Sequence, residues 1–174
     1  METIGIEQRN NRPLLFAVFI IYIYVGYYYQ QIGCKYLTIG KKIQIPDMGA
    51  ENELDILIER EGRVIVVECK NIKRAIDDKF VTTWLNKNIP QIRRWLIVTY
   101  PQIKTFEIQL WSLGGFTGKA LEMLKNEAQK VRKYEINFYG TKQIIEMARK
   151  NNIQIIIEML NQHLKPPLDS LEIN

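Results

Sequence analysis

Histidine and cysteine are scarce in this sequence. Its 174 residues include one histidine, His163, and two cysteines, Cys34 and Cys69. So few ligands exclude a disulfide-stabilised scaffold and a zinc site built from four cysteine or histidine side chains. A lone histidine near the C-terminus also argues against a Ser-His-Asp or Cys-His hydrolase. Any catalysis therefore has to rest on carboxylates and lysine, with or without a bound metal ion.

Internal repeats and low-complexity linkers are absent as well. The chain is 47% hydrophobic and 25% charged, which is typical of globular proteins and excludes wholesale disorder. Its length corresponds to about one domain and is sufficient to bury a core without disulfide support. We expect a single domain over residues 13–165, between an N-terminal tail (1–12) and a C-terminal tail (166–174).

Charged residues are missing from one long segment, Pro13–Cys34. Its 22 residues are enough to span a bilayer as a helix, which needs about 20. Five tyrosines in this segment suit a protein interior or interface better than hydrocarbon. We therefore predict a helix buried between the sheet and a second layer or subunit, with a membrane anchor as the alternative. Its bulky aromatics are unlike the cleavage site of a secretory signal, and we predict a cytoplasmic protein.

The pattern along the rest of the chain predicts an α/β domain with a mixed sheet, in the order αβββαβαβα. The extended segments are Lys35–Ile45, Glu53–Glu59, Val64–Lys70, Phe106–Trp111 and Tyr134–Tyr139. The helical segments that follow the first helix are Ile76–Tyr100, Phe116–Val131 and Thr141–Lys150. Within the first of these, Trp95–Thr99 is a short apolar run that fits a strand as an alternative.

The second and third extended segments carry the most informative polar residues. If residues 60–63 form a four-residue loop, Asp55 lies opposite Glu68, and Glu53 lies opposite Lys70. The apolar residues of both strands alternate with these and share the other face: Leu54, Ile56, Ile58, Ile65, Val67 and Cys69. A slip of one residue in the register would separate the polar group.

Directly opposed carboxylates repel each other, which is a cost in a purely structural sheet. A hard divalent cation such as Mg²⁺ removes that cost and can polarise a phosphate and activate a bound water. A nearby lysine can stabilise the charge that develops on the phosphate. The structural alternative is a cross-strand ion pair between Glu53 and Lys70 on a solvated sheet face.

Asp55, followed after twelve residues by Glu68-Cys69-Lys70, resembles the D…(D/E)-x-K signature of the PD-(D/E)XK nuclease superfamily. The apolar strand that ends in Glu-Cys-Lys-Asn and the later segment Leu110–Thr117 are similar to restriction-endonuclease-like domains common in archaea. The resemblance extends over about residues 14–150. It implies a restriction-endonuclease-like core, an αβββαβ arrangement with a mixed central sheet flanked by helices, and a C-terminal helical extension.

By this resemblance the protein is a metal-dependent nuclease that hydrolyses DNA. Asp55, Glu68 and the backbone carbonyl of Cys69 would bind Mg²⁺ or Mn²⁺, and Lys70 would be the catalytic lysine. Many members of the superfamily add a glutamate from the first helix, and this sequence has none between residues 13 and 34. Because some branches keep the fold without cleavage, the alternative is an inactive DNA-binding or assembly module, with or without a membrane tether.

Positive charge is concentrated in the middle of the chain. Residues 70–104 contain eight basic and two acidic side chains, a local charge of +6 against +5 for the whole chain. A polyanion such as DNA is the simplest partner, and a solvated helix face is the alternative. The predicted DNA-binding residues are Lys73, Arg74, Lys79, Lys87, Arg93 and Arg94. We also expect a homodimer, because the outer side of the tyrosine-rich first helix would need a partner.

Overall fold

One five-stranded sheet organises the protein in a computed structural model that describes residues 12–46, 49, 51–71, 74–130, 133–154 and 157–158. Side chains are described from residue 21 onward. The strands are β1 (Tyr36–Gln44), β2 (Glu51–Arg60), β3 (Arg63–Lys70), β4 (Phe106–Ser112) and β5 (Tyr134–Tyr139). The helices are α1 (Arg12–Gln31), α2 (Asp78–Thr83), α3 (Ile89–Thr99), α4 (Gly118–Ala128) and α5 (Thr141–Lys150). The predicted α/β class and element order are confirmed.

The strands are ordered β1-β2-β3-β4-β5, so the sheet is mixed as predicted. Strands β1, β2 and β3 are antiparallel, whereas β3, β4 and β5 are parallel. The loop between β2 and β3 consists of Glu61 and Gly62 alone, so the predicted four-residue loop is wrong. These two residues take positive φ angles of 50° and 74°. Such a pair forms the tight turn that matches strand twist. The predicted pairing of Glu59 with Val64 is nevertheless confirmed, since Arg60 and Arg63 simply extend the ladder.

Helix α1 covers one face of the hairpin formed by β2 and β3, as predicted. Its buried residues Ile21 and Tyr24 belong to the same apolar cluster as Val67 of β3. On its outer side, Ile23 and Tyr27 are 48% and 40% exposed. The described side chains of α1 are therefore buried on one side of the helix and exposed on the other.

A membrane anchor is the alternative prediction for this N-terminal segment. Within the described residues, no helix combines the length and the apolar content that crossing a bilayer requires. The cytoplasmic location stays a prediction.

A continuous helical segment from Asp78 to Thr99 helps to cover the opposite face of the sheet. It consists of α2, a π-helical turn (Trp84–Asn88) and α3, with Pro90 directly after the π-helical turn. The alternative of a strand over Trp95–Thr99 is wrong, because these residues continue the helical spacing of buried positions. The buried positions of α3 are Ile89, Ile92, Trp95 and Leu96.

Side-chain alternation along β2 changes at Asp55. Ile56 and Ile58 pack on the α1 side of the sheet, whereas Leu54 packs on the α2–α3 side. The prediction that these three residues share one face is therefore wrong. The change lies opposite Gly40 of β1, whose φ of 64° interrupts regular strand geometry. As a consequence, the side chain of Asp55 reaches α1.

Candidate active site

The two acidic residues predicted to face each other lie where the ladder between β2 and β3 ends. Its last pair is Ile56 and Val67, so Asp55 and Glu68 are the next residues on the two strands. Oδ2 of Asp55 accepts a hydrogen bond from the backbone N–H of Cys69 at 2.7 Å. This bond takes the place of backbone pairing and holds the Asp55 carboxylate beside the end of β3.

Lys70 forms an ion pair with Glu68, with 2.5 Å between Nζ and Oε1. The two residues lie two positions apart on β3 and therefore share a face. Nζ also lies 5.4 Å from the ring centroid of Phe80, and the Lys70 carbonyl accepts a hydrogen bond from the Leu113 N–H at 3.1 Å. The alternative pairing of Lys70 with Glu53 is wrong, because the ladder ends before Glu53 can face Lys70.

The charges in this group perturb one another. Burial, and then the negative charge of Asp55, raise the pKa of Glu68, while the Lys70 ammonium opposes the shift. For Lys70, burial disfavours the charged form, but the carboxylates of Glu68 and Asp55 outweigh it and raise the pKa. Lys70 is therefore a cation at neutral pH, and two carboxylates share its one positive charge.

Helix α1 contributes a hydroxyl group to the same carboxylate. Oη of Tyr22 donates to Oδ1 of Asp55 at 2.9 Å, so each oxygen of Asp55 accepts one hydrogen bond. Burial, followed by the charge of Asp55, raises the pKa of Tyr22, so the hydroxyl remains a donor. The sequence analysis missed Tyr22 because one tyrosine among five in an apolar helix carries no local signal. Helix α1 contains no acidic residue, and what it brings to Asp55 is this hydroxyl.

The residues on either side of Lys70 differ in character. Cys69 is buried in the α1-side cluster, and burial raises the pKa of its thiol well above the ordinary value. It is a core residue, in agreement with its predicted place among the apolar residues of the hairpin. By contrast, Nδ2 of Asn71 is a buried donor with no hydrogen-bond partner in the part of the chain that the structure describes. Asn71 thus offers an amide donor next to the lysine.

The structure divides the predicted DNA-binding residues. Lys73 lies outside the described residues. Arg74 is exposed between β3 and α2, and Lys79 is exposed on α2. Lys87 and Arg94 line a shallow groove along the π-helical turn and the start of α3. Among the described residues, no acidic side chain lines this groove.

Arg93 belongs to a different surface. Its guanidinium lies 4.4 Å from the ring centroid of Tyr134, at the start of β5. Consecutive residues of a helix point about 100° apart, which directs Arg93 away from its neighbour Arg94. The sequence predicts one basic patch, but the structure places Lys87 and Arg94 on one surface and Arg93 on another.

Mg²⁺ or Mn²⁺ suits the chemistry of this group. Asp55 and Glu68 offer carboxylate oxygens, the ligands that hard divalent cations prefer. A group of three or more histidine, cysteine, aspartate or glutamate side chains able to hold a metal ion does not occur among the described residues. Further oxygens would have to come from the backbone, water or a substrate.

Comparisons with known proteins bear on the fold alone. No family model matches the chain, and no curated protein matches it. A solved crystal structure, described as a protein of unknown function, AF1548, is similar to it with a TM-score of 0.50 and 18% sequence identity. The similarity covers 92% of this chain and 72% of that one. At this identity, what the two proteins share is the α/β arrangement of a mixed sheet flanked by helices.

Proposed function

We propose that this chain is a restriction-endonuclease-like domain of the PD-(D/E)XK superfamily and hydrolyses DNA phosphodiester bonds with a divalent cation. The observation that carries the proposal is the hydrogen bond from the Cys69 N–H to Asp55. It brings the Asp55 carboxylate to the strand end that holds the Glu68–Lys70 ion pair. This is the juxtaposition that the D…(D/E)-x-K resemblance requires.

Each residue has a separate role in this proposal. Asp55, Glu68 and the backbone carbonyl of Cys69 would hold Mg²⁺ or Mn²⁺, which when bound polarises the phosphate and lowers the pKa of water. Tyr22 and the Cys69 N–H orient Asp55 through its two oxygens. Lys70 is a cation that can leave Glu68 and stabilise charge on the phosphate. The unpartnered amide of Asn71 can donate to a neighbouring phosphate oxygen.

The second candidate function is an inactive nuclease fold that binds DNA or assembles with other proteins, free or tethered to a membrane. Two observations favour it. Glu68 neutralises the Lys70 ammonium, and α1 brings a tyrosine rather than a carboxylate to Asp55. An inactive module would have no need to bind a cation at Asp55 and Glu68.

A cleavage assay tests the first proposal. Supercoiled, linear and branched DNA are incubated with Mg²⁺ or Mn²⁺ and either the wild type, Lys70→Ala or the exposed-surface control Lys125→Ala. We expect cleavage by the wild type and the control and none by Lys70→Ala. Calorimetric titration with Mn²⁺ should show binding that Asp55→Ala and Glu68→Ala both remove. Wild-type protein that neither cleaves DNA nor binds Mn²⁺ would contradict the nuclease proposal and favour the inactive module.

The groove lined by Lys87 and Arg94 is the proposed contact with the DNA backbone. Each phosphate contact contributes about 0.9 to the slope of log affinity against log salt. The double variant Lys87→Gln/Arg94→Gln should lower that slope by roughly 1.8, measured by fluorescence anisotropy. An unchanged slope would place the DNA elsewhere.

A second copy of the chain is the other proposed partner. Ile23 and Tyr27 lie one turn apart on the outer side of α1 and are large apolar side chains with 48% and 40% exposure. Light scattering should give the mass of a dimer for the wild type and of a monomer for Ile23→Asp. A monomeric wild type would contradict the homodimer and leave the nuclease proposal intact.

A further inference from the structure

A second cationic site lies at the opposite end of the sheet from Lys70. A cavity of about 220 Å³ opens beside the first residues of β4 and β5. Its basic lining residues are Arg93, Lys104 and Lys133, and its apolar wall includes Ile97, Ile103 and Phe106. Ile97 is 54% exposed, so an apolar surface faces solvent next to three cations.

The topology explains why the cations converge. Lys104 and Lys133 shortly precede β4 and β5, which are parallel and pair in register from Phe106 and Tyr134. Because β4 and β5 are parallel and in register, their first residues lie side by side at the same end of the sheet. The two lysines that precede them are therefore close together. Arg93 reaches the same edge from α3 and lies over the Tyr134 ring, 4.4 Å from its centroid. A guanidinium in a cation–π contact of this kind still has N–H groups that can donate to a ligand.

The nearby carboxylates are on the wrong face to neutralise these cations. Glu107 and Glu135 follow Phe106 and Tyr134 and therefore point to the α1 side of the sheet. Glu107 accepts hydrogen bonds from the side-chain amides of Gln109 and Asn137. Glu135 forms an ion pair with Arg63 at 3.4 Å. In the residues that the structure describes, the three cations of the cavity have no carboxylate partner.

We propose that this cavity binds a nucleotide, through both its phosphate group and its base. Lys104, Lys133 and Arg93 would bind the phosphate, and the base would pack on the apolar wall beside it. The volume of about 220 Å³ is below the roughly 300 Å³ at which pockets for drug-sized ligands begin, which favours one nucleotide unit over a larger ligand. That nucleotide is either one unit of a nucleic-acid strand or a free nucleotide. The cavity is far from the candidate active site. Phe106, at the cavity, pairs with Val64, whereas Ser112 pairs with Lys70 of the active site, and about 20 Å of strand separates the two pairs.

Isothermal titration calorimetry on the full chain tests this proposal. The ligands are the tetranucleotide dT4, its abasic deoxyribose-phosphate analogue and dTMP. All titrations are made in buffer without divalent cations, and every protein carries Asp55→Ala. The cavity variant Lys104→Glu/Lys133→Glu is compared with Lys125→Glu/Lys142→Glu, which makes the same change of charge at exposed sites outside the cavity. Circular dichroism confirms that both variants are folded.

We expect the cavity variant to bind dT4 about tenfold more weakly than the control variant does, since charge-assisted bonds to phosphate are lost. Its salt slope should fall by about 1.4, at about 0.7 for each single-strand phosphate contact. The abasic analogue should bind more weakly than dT4. Tighter binding of dT4 than of dTMP would identify a strand as the source, and equal binding would identify a free nucleotide.

Two results would overturn the proposal. Equal affinities of the cavity and control variants for dT4 would show that the nucleotide binds elsewhere. Equal affinities of dT4 and its abasic analogue would show a site for anions without recognition of the base. Both results are independent of cleavage, so the nuclease proposal and this one can fail separately.

Discussion

The two faces of the sheet are stabilised in different ways. On the α1 side, Gln109 is 1% exposed, donates to Oη of Tyr29 at 2.5 Å and accepts from Nε1 of Trp111 at 2.7 Å. On the α2–α3 side the core is apolar, and Nε1 of the fully buried Trp84 has no hydrogen-bond partner among the described residues. Directional bonds therefore fix how α1 docks, whereas the core of the opposite layer is built from apolar side chains.

The difference shows what tyrosines contribute to an apolar helix. Tyr22 donates to Asp55, Tyr24 donates to the carbonyl of Ile144, and Tyr29 accepts from Gln109. Leucines at these positions would bury apolar area too, but they would allow α1 to shift without a penalty in hydrogen bonding. Because Tyr22 reaches the candidate active site, the docking of α1 and the geometry of that site are coupled.

The largest effect should come from the apolar side. Leu57→Ala removes a fully buried side chain from the α2–α3 cluster and should lower the free energy of unfolding by about 2–5 kcal/mol. Urea denaturation measures the loss. The exposed Val98→Ala on α3 is the control and should change the free energy by less than about 0.5 kcal/mol. A loss below 1 kcal/mol for Leu57→Ala would show that this layer does not depend on tight packing.

Removing the central amide of the polar side should cost somewhat less. Gln109→Leu leaves the Tyr29 hydroxyl and the Trp111 N–H without partners, and the free energy of unfolding should fall by about 1–3 kcal/mol. Adding Tyr29→Phe should then cost less than it does in the wild type, because the hydroxyl is already unpaired. Strictly additive losses in the urea experiment would mean that the network does not act as a unit.

Tyr22→Phe tests whether the polar side serves the candidate active site, given that the nuclease proposal holds. Loss of the hydroxyl should weaken Mn²⁺ binding or slow cleavage about tenfold, the usual effect of losing a group that orients a ligand. The matched control Tyr27→Phe changes an exposed tyrosine on the same helix and should leave both unchanged. If both variants bind Mn²⁺ like the wild type, Tyr22 has only a structural role.

The smallest effect should come from the unpartnered indole. Trp84→Phe leaves a small cavity but also removes a buried N–H that has no partner, so the net loss should be about 1 kcal/mol or less. Trp111→Phe, which breaks the bond to Gln109, should cost about 1 kcal/mol more. The reverse order in thermal denaturation would contradict the contrast between the two faces.

The hairpin could be predicted from sequence because its determinants are local. Strand alternation and the Glu61-Gly62 turn set the pairing of Glu59 with Val64, and that pairing brings Asp55 next to Glu68. The element order followed from apolar periodicity in the same way. These features depend on residues within a few positions of one another.

Other parts of the site depend on distant residues and could not be predicted. Tyr22 meets Asp55 only because α1 docks at one angle, and Leu54 changes face because Gly40, on another strand, takes a positive φ. Lys70 pairs with Glu68 rather than Glu53 because the ladder stops one residue before Asp55. Local strand alternation places Glu68 and Lys70 on one face, but the docking of α1, the change of face at Leu54 and the end of the ladder depend on residues far apart in the sequence.

The strands lie in the sheet in the order in which the chain makes them, and this has a kinetic consequence. Strands β1 to β3 are joined by short connections, whereas β4 and β5 are reached only through helical crossovers. Local contacts form fastest because little loop entropy is lost before they are made. We therefore expect the meander that contains Asp55, Glu68 and Lys70 to assemble early in folding. The cationic cavity, which needs both crossovers complete, would form late, so a slow folding step would delay nucleotide binding there rather than formation of the hairpin.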